Sequence, residues 1–293
     1  MNDAFVSLYL VAAVGAGLAT AGVSVCLKGA EQHQCRPRAY GLAQLGLAMV
    51  LSVVVAVAQG AVWSGVGFWG LGVAAGALMY GTIPIMIAAN RVSPPSLVWA
   101  MANMGLLLPI AGSALFLHEP LRPLDAVMVS LFAGMLTAFH RGTQAARDVR
   151  KEARTASVLL LAAVLVVNGL LMFAFKLNGM CFPGHASARL SVVMYATATL
   201  LALVQLRGWR ALSDIRASEW RWGSGAGLAS GTSILLLLPT MKLPAGLVFP
   251  VVQGASLLGG TLLTAWVFRE RLNRWKLGGV LLGLAVLVVA VKR

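Results

Sequence analysis

Two primary amides, Asn103 and Gln253, lie near the centres of long apolar stretches of the sequence. An amide has two donors and two acceptor lone pairs, so it can bind the carboxylate, amino or amide group of a small solute. A third amide, Asn168, lies in another apolar stretch, and Thr20 precedes it by 148 residues. We predict that these side chains line a solute cavity. The alternative is a hydrogen bond to a neighbouring helix, which is worth about 0.6 kcal/mol in a membrane.

Aromatic and hydroxyl side chains are further candidates for this cavity. Tyr80 and Trp99 could form aromatic walls over which a cationic solute would sit, and ordinary packing is the alternative for each. Ser230 and Thr232 lie close to glycines in a third apolar stretch. They could bind a solute, although hydroxyls commonly bond back to their own helix.

Two lysines, Lys28 and Lys176, lie near the ends of apolar stretches on the same 148-residue spacing. If the two halves of the chain insert in opposite senses, one lysine lies at each membrane face. They would then guard the two mouths of a pathway and favour an anionic or zwitterionic solute. The alternative is snorkelling, in which the ammonium group extends to the lipid headgroups.

Four prolines, Pro84, Pro109, Pro239 and Pro250, each remove a backbone donor inside an apolar stretch. The freed carbonyls and the resulting kinks are what broken transporter helices require, so these are predicted bend sites. Pro250 lies three residues before Gln253, which places a predicted bend beside a predicted solute contact.

Acidic and metal-binding residues give no catalytic pattern. No Asp or Glu lies well inside an apolar stretch, whereas many proton- or sodium-coupled carriers place a carboxylate there. The four histidines and three cysteines show no metal-ligand or nucleophile–base spacing. We therefore expect no metal, no cofactor and no enzymatic activity, and we expect facilitated diffusion or exchange to fit at least as well as carboxylate-coupled transport.

The composition indicates an integral membrane protein. The chain is 59% hydrophobic and 11% charged, with a mean hydropathy of +0.84, against about 25% charged for a typical globular domain. Its apolar runs are about 20 residues long, enough for a helix to cross a ~30 Å hydrocarbon core. The amino-terminal run lacks the basic region of a cleaved signal and is predicted to remain as a helix. Ten spans are predicted, near residues 5–28, 39–58, 66–89, 94–117, 124–140, 156–176, 187–206, 222–241, 245–268 and 275–291.

The distribution of cationic residues predicts an orientation. Of the 23 Lys and Arg residues, 17 flank the loops after odd-numbered spans and 6 lie on the other side. The positive-inside rule then places the odd-numbered loops in the cytoplasm and both termini outside the plasma (inner) membrane. These cations give the chain its net charge of +14, and they lie where the anionic headgroups of the lipid bilayer attract them. The charge therefore needs no nucleic-acid partner to explain it, and none is expected.

The second half of the chain repeats the layout of the first. Glu119 and Glu270 are 151 residues apart, and each lies between two spans and two positions before a leucine. On the same spacing, a pair of glycines four residues apart recurs, at Gly72 and Gly76 and again at Gly223 and Gly227. Such pairs let helix backbones approach closely in lipid. Two similar halves with an odd number of spans each must insert upside down relative to one another.

The segments Ser93–Leu121 and Pro244–Leu272, each a span that ends in glutamate-x-leucine, resemble the paired five-helix EamA units of the drug/metabolite transporter superfamily. The resemblance implies an all-α protein of ten transmembrane helices in two inverted five-helix repeats, residues 1–141 and 156–293, joined by a basic loop at 142–155. It also implies that spans 1, 3, 4, 6, 8 and 9 surround a central cavity. Members of this family are often drawn with both termini in the cytoplasm, which is the reverse of the charge count here.

The leading prediction is a secondary transporter that moves a small polar organic solute, such as an amino acid or related metabolite, by alternating access. It would act as an exporter or as a facilitator or exchanger. The alternatives are a lipid or lipid-linked-sugar flippase, efflux of cationic compounds, and an accessory membrane subunit. A complete pathway in one chain makes a monomer sufficient, with a homodimer as the alternative.

Overall fold

A computed structural model describes the backbone of residues 3–60, 66–93, 95–120, 122–144, 154–182, 187–205, 215–269 and 274–292. All regular secondary structure in these ranges is helical. The first half contains α1 (Asp3–Gln32), α2 (Pro37–Ala58), α3 (Val66–Val92), α4 (Pro95–Met104), α5 (Leu107–Phe116) and α6 (Pro123–Gln144). The second half contains α7 (Arg154–Cys181), α8 (Ser187–Gln205), α9 (Ala217–Thr240), α10 (Ala245–Phe268) and α11 (Arg274–Val291).

The predicted multi-pass helical architecture is confirmed in its coarse outline. Nine helical segments among the described residues are long and apolar enough to cross a membrane, and α4 and α5 together form one of them. The one predicted span that is not among these nine, near residues 222–241, corresponds to α9, which has 24 residues but is rich in glycine and serine. Helices α6 and α7 extend into both ends of the predicted 142–155 connection, since α6 ends at Gln144 and α7 begins at Arg154.

Proline marks the start of several helices. Pro37, Pro95 and Pro123 are the first residues of α2, α4 and α6. The first N–H groups of a helix have no partner within it, so a residue without an N–H is tolerated there, and its fixed φ suits the helix. These prolines therefore set where the chain re-enters the helical bundle.

The chain leaves α5 and α10 through matching left-handed residues. His118 has φ of 53° and Arg269 has φ of 52°, and each immediately precedes the glutamate of a glutamate-x-leucine motif. A non-glycine residue with positive φ is uncommon. Gln34, after α1, has the same conformation with φ of 50°, so left-handed residues turn the chain out of three of the helices.

The helices of one half pack mainly on those of the other. Helix α1 packs against α9 and α10, whereas α7 packs against α3, α4 and α5. Helix α8 contacts both α2 and α3, α2 also contacts α9, and α6 pairs with α11. The two halves are thus interleaved, and the core lies between them.

The predicted close approach at both glycine pairs is confirmed. A Cβ added to Gly76 in α3 would lie 2.5 Å from the carbonyl oxygen of Met194 in α8. A Cβ added to Gly227 in α9 would lie 2.5 Å from the carbonyl oxygen of Gln44 in α2. Backbone atoms cannot move aside as a flexible side chain can, so these contacts require glycine.

Gly76→Ala is expected to destabilise the protein although alanine favours helix. Overpacking costs about 1–3 kcal/mol, more than the helix propensity gained. Gly70→Ala in the same helix is the matched control, because a Cβ there meets no atom within 4 Å. That variant should be neutral or more stable by up to ~1 kcal/mol. Thermal unfolding in one detergent compares them, and equal shifts for the two variants would contradict the packing.

Candidate functional site

One face of α7 carries Asn168, Met172 and Lys176, each four residues from the next. Residues at i, i+4 and i+8 lie above one another on a helix. We call these three residues the α7 stripe. Asn168 contacts α4, Met172 contacts α10, and Lys176 contacts the loops that follow α5 and α9. The stripe therefore connects the broken fourth span to one end of the bundle.

The fourth span is interrupted between α4 and α5, at Gly105 and Leu106. In a continuous helix the N–H of Leu106 would donate to the carbonyl of Ala102. Here it donates to the carbonyl of Asn103 at 3.2 Å. The Asn168 side chain of α7 donates through Nδ2 to the Ala102 oxygen at 2.6 Å instead. The Ala102 oxygen also accepts from the N–H of Gly105 at 3.2 Å, so the interruption is a tightened turn whose carbonyl gains a second donor from a neighbouring helix.

The backbones of the fourth span and α7 touch at this interruption. A Cβ on Gly105 would lie 2.9 Å from the nitrogen of Gly169, and a Cβ on Gly169 would lie 2.7 Å from the oxygen of Gly105. The two glycines bring α7 close enough for Asn168 to reach the Ala102 carbonyl. The break depends on this approach as much as on the amide.

The predicted proline bends fall into two groups. Pro109 lies in the first turn of α5, directly after the break, where its missing N–H costs no helical hydrogen bond. Pro84, Pro239 and Pro250 lie inside α3, α9 and α10, which are each continuous helices. The helical interruption is therefore in the fourth span, whereas the sequence drew attention to a bend at Pro250, beside Gln253.

Lys176 joins α7 to the two loops that follow α5 and α9 at one end of the bundle. Its side chain is fully buried, and its ammonium group forms an ion pair with the carboxylate of Glu119. Nζ also donates to the carbonyl oxygens of Met241 at 3.1 Å and Leu243 at 2.7 Å. Burial within protein excludes the snorkelling alternative for this lysine.

Glu119 contributes to the same set of contacts at this end of the bundle. Its Oε2 accepts a hydrogen bond at 3.0 Å from the N–H of Ala245, the first residue of α10. Because Oε1 pairs with Lys176, one carboxylate ties α7 to the amino terminus of α10. The glutamate of the first glutamate-x-leucine motif thus orders the loop between α5 and α6 against α7 and α10. Glu270, its counterpart, lies outside the described residues.

Lys28 occupies the equivalent position on α1, at the opposite end of the bundle. It is half-buried, and its Nζ lies 4.8 Å from the centroid of the Phe268 ring, a cation–π contact. Phe268 is the last residue of α10. The two lysines therefore differ in their surroundings: Lys176 is fully buried against a carboxylate and two carbonyls, whereas Lys28 is only partly buried.

The other two predicted amides lie on the helices that meet the α7 stripe. Nε2 of Gln253 is 3.8 Å from the sulfur of Met172, so Gln253 faces α7 from α10. Asn103 is buried beside the break, and its Nδ2 donates at 2.7 Å to the carbonyl of Trp99 in its own helix. Trp99 itself is half-buried in α4.

The predicted hydroxyls serve mainly as helix contacts. The Oγ1 of Thr20 and the Oγ of Ser233 are 2.7 Å apart and link α1 to α9. Ser230 bonds back to the carbonyl of Gly227 at 3.4 Å. Thr232 lies apart from these, on an exposed face of α9 that it shares with Leu228 and Leu236.

A cleft opens at the end of the bundle opposite to Lys176, where α2, α3 and α8 diverge. Its volume is about 370 Å³. Of the predicted site residues, Tyr80 and Pro84 line it. The remaining described lining residues come from the amino terminus of α2 and the carboxyl-terminal parts of α3 and α8: Arg36, Pro37, Arg38, Gly41, Ile83, Ala88, Ala202 and Gln205.

An ion pair that the sequence did not predict lies beside this cleft. Glu219 is fully buried and accepts from Arg36 at both oxygens, from Nε at 2.8 Å and from Nη2 at 2.9 Å. It also accepts from the backbone N–H groups of Arg36 and Arg216, each at 2.9 Å. The available signal was an acid at the third residue of a helix, a capping position. Its partner is 183 residues away, which no local pattern could reveal.

Metal-binding geometry is not found in the described part of the chain, where no group of three His, Cys, Asp or Glu side chains could hold an ion. The three cysteines are free thiols.

Comparison of the sequence with protein-family models and with curated proteins gives no match in either case. Among solved structures, one crystal structure of a protein matches with a TM-score of 0.78 at 17% sequence identity. The match covers 96% of this chain and 95% of that chain. At this identity the likeness shows the fold alone, and it extends over nearly the whole bundle.

Glu119→Gln should destabilise the protein strongly, because it leaves the Lys176 charge buried without its counter-charge, a loss of about 3–5 kcal/mol. Adding Lys176→Met should recover part of that loss. Lys242→Met, at an exposed residue near the same end, is the control and should change stability by less than about 0.5 kcal/mol. A double-mutant cycle by thermal unfolding measures the coupling, and strictly additive losses would contradict a coupled pair.

Proposed function

We propose that this chain is a secondary carrier that moves a small polar organic solute, such as an amino acid or related metabolite, across the plasma membrane. The observation that carries the proposal is the interruption between α4 and α5, where the Asn168 amide of α7 donates to the Ala102 carbonyl. Discontinuous helices near the membrane midplane form the solute sites of many secondary transporters. A carrier of this kind needs no catalytic group, no cofactor and no partner chain.

The packing pattern supports an arrangement of two inverted halves. If the first five spans exchange with the last five, the contacts of α1 with α9 and α10 become those of α7 with α3 and the α4–α5 span. The contacts of α2 with α9 and of α8 with α3 also interchange, while the α2–α8 and α6–α11 pairs map onto themselves. This symmetry supports assignment to the EamA-type drug/metabolite transporters, with halves at residues 1–141 and 156–293.

The two ends of the bundle support alternating access. At one end Lys176, Glu119 and the loop before α10 hold the helices together, and at the other end Lys28 is only partly buried. In our proposal the Lys176–Glu119 contact breaks when its end opens, and Lys28 contributes to closure of the opposite end. A solute changes the balance of the two states only by binding one of them more tightly.

Solute binding is assigned to the amides around the α7 stripe, chiefly Asn103 and Gln253. They lie at the break and opposite Met172, in the middle of the bundle. The described acids Asp3, Glu31, Glu119, Asp125 and Glu219 all lie at or next to helix ends, away from this region. That placement favours facilitated diffusion or exchange over coupling through a buried carboxylate.

A thermal-shift screen on purified protein should identify the solute class, using amino acids, nucleotide sugars, organic phosphates, quaternary amines and lipid headgroups. A ligand at 100 times its Kd stabilises the folded state by about 2.7 kcal/mol. Counterflow into proteoliposomes then tests transport of the hit.

Gln253→Ala and Asn103→Ala should each lower counterflow by about tenfold or more, because loss of a hydrogen bond to a charged group costs about 1.5–3 kcal/mol. Thr232→Ala, on the exposed face of α9, is the control and should leave transport unchanged. Full transport in both amide variants would remove the proposed site, and absence of counterflow for every hit would remove the carrier proposal.

The charge count further predicts that residue 242 is outside and residue 31 is in the cytoplasm. After replacement of the three cysteines by serine, Lys242→Cys should react with a membrane-impermeant maleimide on intact cells. Glu31→Cys should react only after permeabilisation. Both positions are exposed, so access to the thiol is not limited by burial. The opposite labelling pattern would establish the family's usual orientation.

A further inference from the structure

The cleft at the end of α2, α3 and α8 has the dimensions of a small-molecule site. Tyr80, Pro84 and Ala88 line it at four-residue spacing, so it follows α3 for about 12 Å at 1.5 Å per residue. Its volume of about 370 Å³ lies within the range of ligand pockets, roughly 300–1,000 Å³.

Polar and apolar groups occupy different parts of this cleft. Arg36 and Arg38 lie at the amino-terminal end of α2, and Gln205 is the last residue of α8, so the polar groups gather at one end. The wall along α3 is apolar apart from the Tyr80 hydroxyl. No Asp or Glu is among the described residues that line the cleft. The lining therefore suits a ligand with an anionic end and an apolar body.

Arg36 is fixed in position before any ligand binds. Its guanidinium is held by the buried carboxylate of Glu219 through two hydrogen bonds, yet its side chain is still 49% exposed. Arg38 is exposed two residues further on, in the first turn of α2. The Glu219 carboxylate offsets the charge of Arg36, so Arg38 and the positive end of the α2 dipole supply the net positive potential at this end of the cleft. Fixed cations lose less freedom on binding than mobile ones, which favours affinity.

We propose that this cleft binds an amphipathic organic anion. The carboxylate or phosphate of the ligand contacts Arg38 and the exposed side of Arg36, and its apolar part lies along Ile83, Pro84 and Ala88 toward the Tyr80 ring. The same chemistry is available from a soluble carboxylate and from an anionic phospholipid. This binding site does not depend on the proposed transport, since it would bind its ligand even if the chain moved no solute.

The first test is titration calorimetry of detergent-purified protein with 4-phenylbutyrate and with its neutral amide. Phenylbutyrate should bind and the amide should not. Arg38→Gln should weaken binding by about tenfold, because Arg38 supplies a charge-assisted contact. Lys242→Gln removes the same charge at the other end of the bundle and should leave binding unchanged. Ala88→Phe keeps every charge but fills the cleft, and it should also abolish binding.

The second test distinguishes the lipid source. Native mass spectrometry after incubation with mixed phosphatidylglycerol and phosphatidylcholine micelles should show retained phosphatidylglycerol that is lost in Arg38→Gln and Ala88→Phe but kept in Lys242→Gln. Binding of either probe with this variant pattern supports the proposal and names the source. Failure of both probes to bind, or equal effects of Arg38→Gln and Lys242→Gln on folded protein, overturns it. Gel filtration and thermal unfolding establish that each variant is folded.

Discussion

Within a bilayer every backbone N–H and C=O must find a partner inside the protein, and the rest of this structure depends on that constraint. It explains why the interruption of the fourth span coincides with an amide from another helix. The Ala102 carbonyl accepts from the Gly105 N–H within the tightened turn and from the Asn168 amide, which takes the place of the Leu106 donor of a regular helix. The same requirement explains the buried ammonium of Lys176, which satisfies the carbonyls of Met241 and Leu243 where α9 ends and the chain turns toward α10.

Close packing is the second consequence. An amide can replace a backbone donor only if the two helices nearly touch, and the Gly105–Gly169 contact provides that approach. The glycines of α3 and α9 do the same for the contacts with α8 and α2. In lipid, where apolar surface gains nothing from leaving its solvent, such backbone contacts supply much of the association between helices. The hydrogen bonds of the α7 stripe therefore depend on the close helix contacts that the glycines allow.

The sequence predicted where the long apolar helices lie because apolar length and flanking charge are local properties. It also singled out Lys176, as a residue at one mouth of a pathway, and Glu119, as part of a glutamate-x-leucine motif. It did not pair them, because 57 positions of chain separate the two residues and loop geometry decides their contact. The Arg36–Glu219 pair was missed for the same reason. Pro250 stood out in the sequence as a bend beside Gln253, whereas the helical interruption lies next to Pro109. A sequence shows where a proline removes a backbone N–H donor, but not at which proline the helix is interrupted.

Helices α1 and α7 each carry a lysine near the carboxyl-terminal end, 148 residues apart in the sequence, and the surroundings of the two lysines differ. Thr20, Ser24 and Lys28 of α1 stand where α7 has Asn168, Met172 and Lys176, each 148 residues later. On α7 the lysine is fully buried against Glu119, whereas on α1 it is partly exposed over Phe268. The two lysines lie in different surroundings, so the two ends of the bundle are not equivalent in this structure.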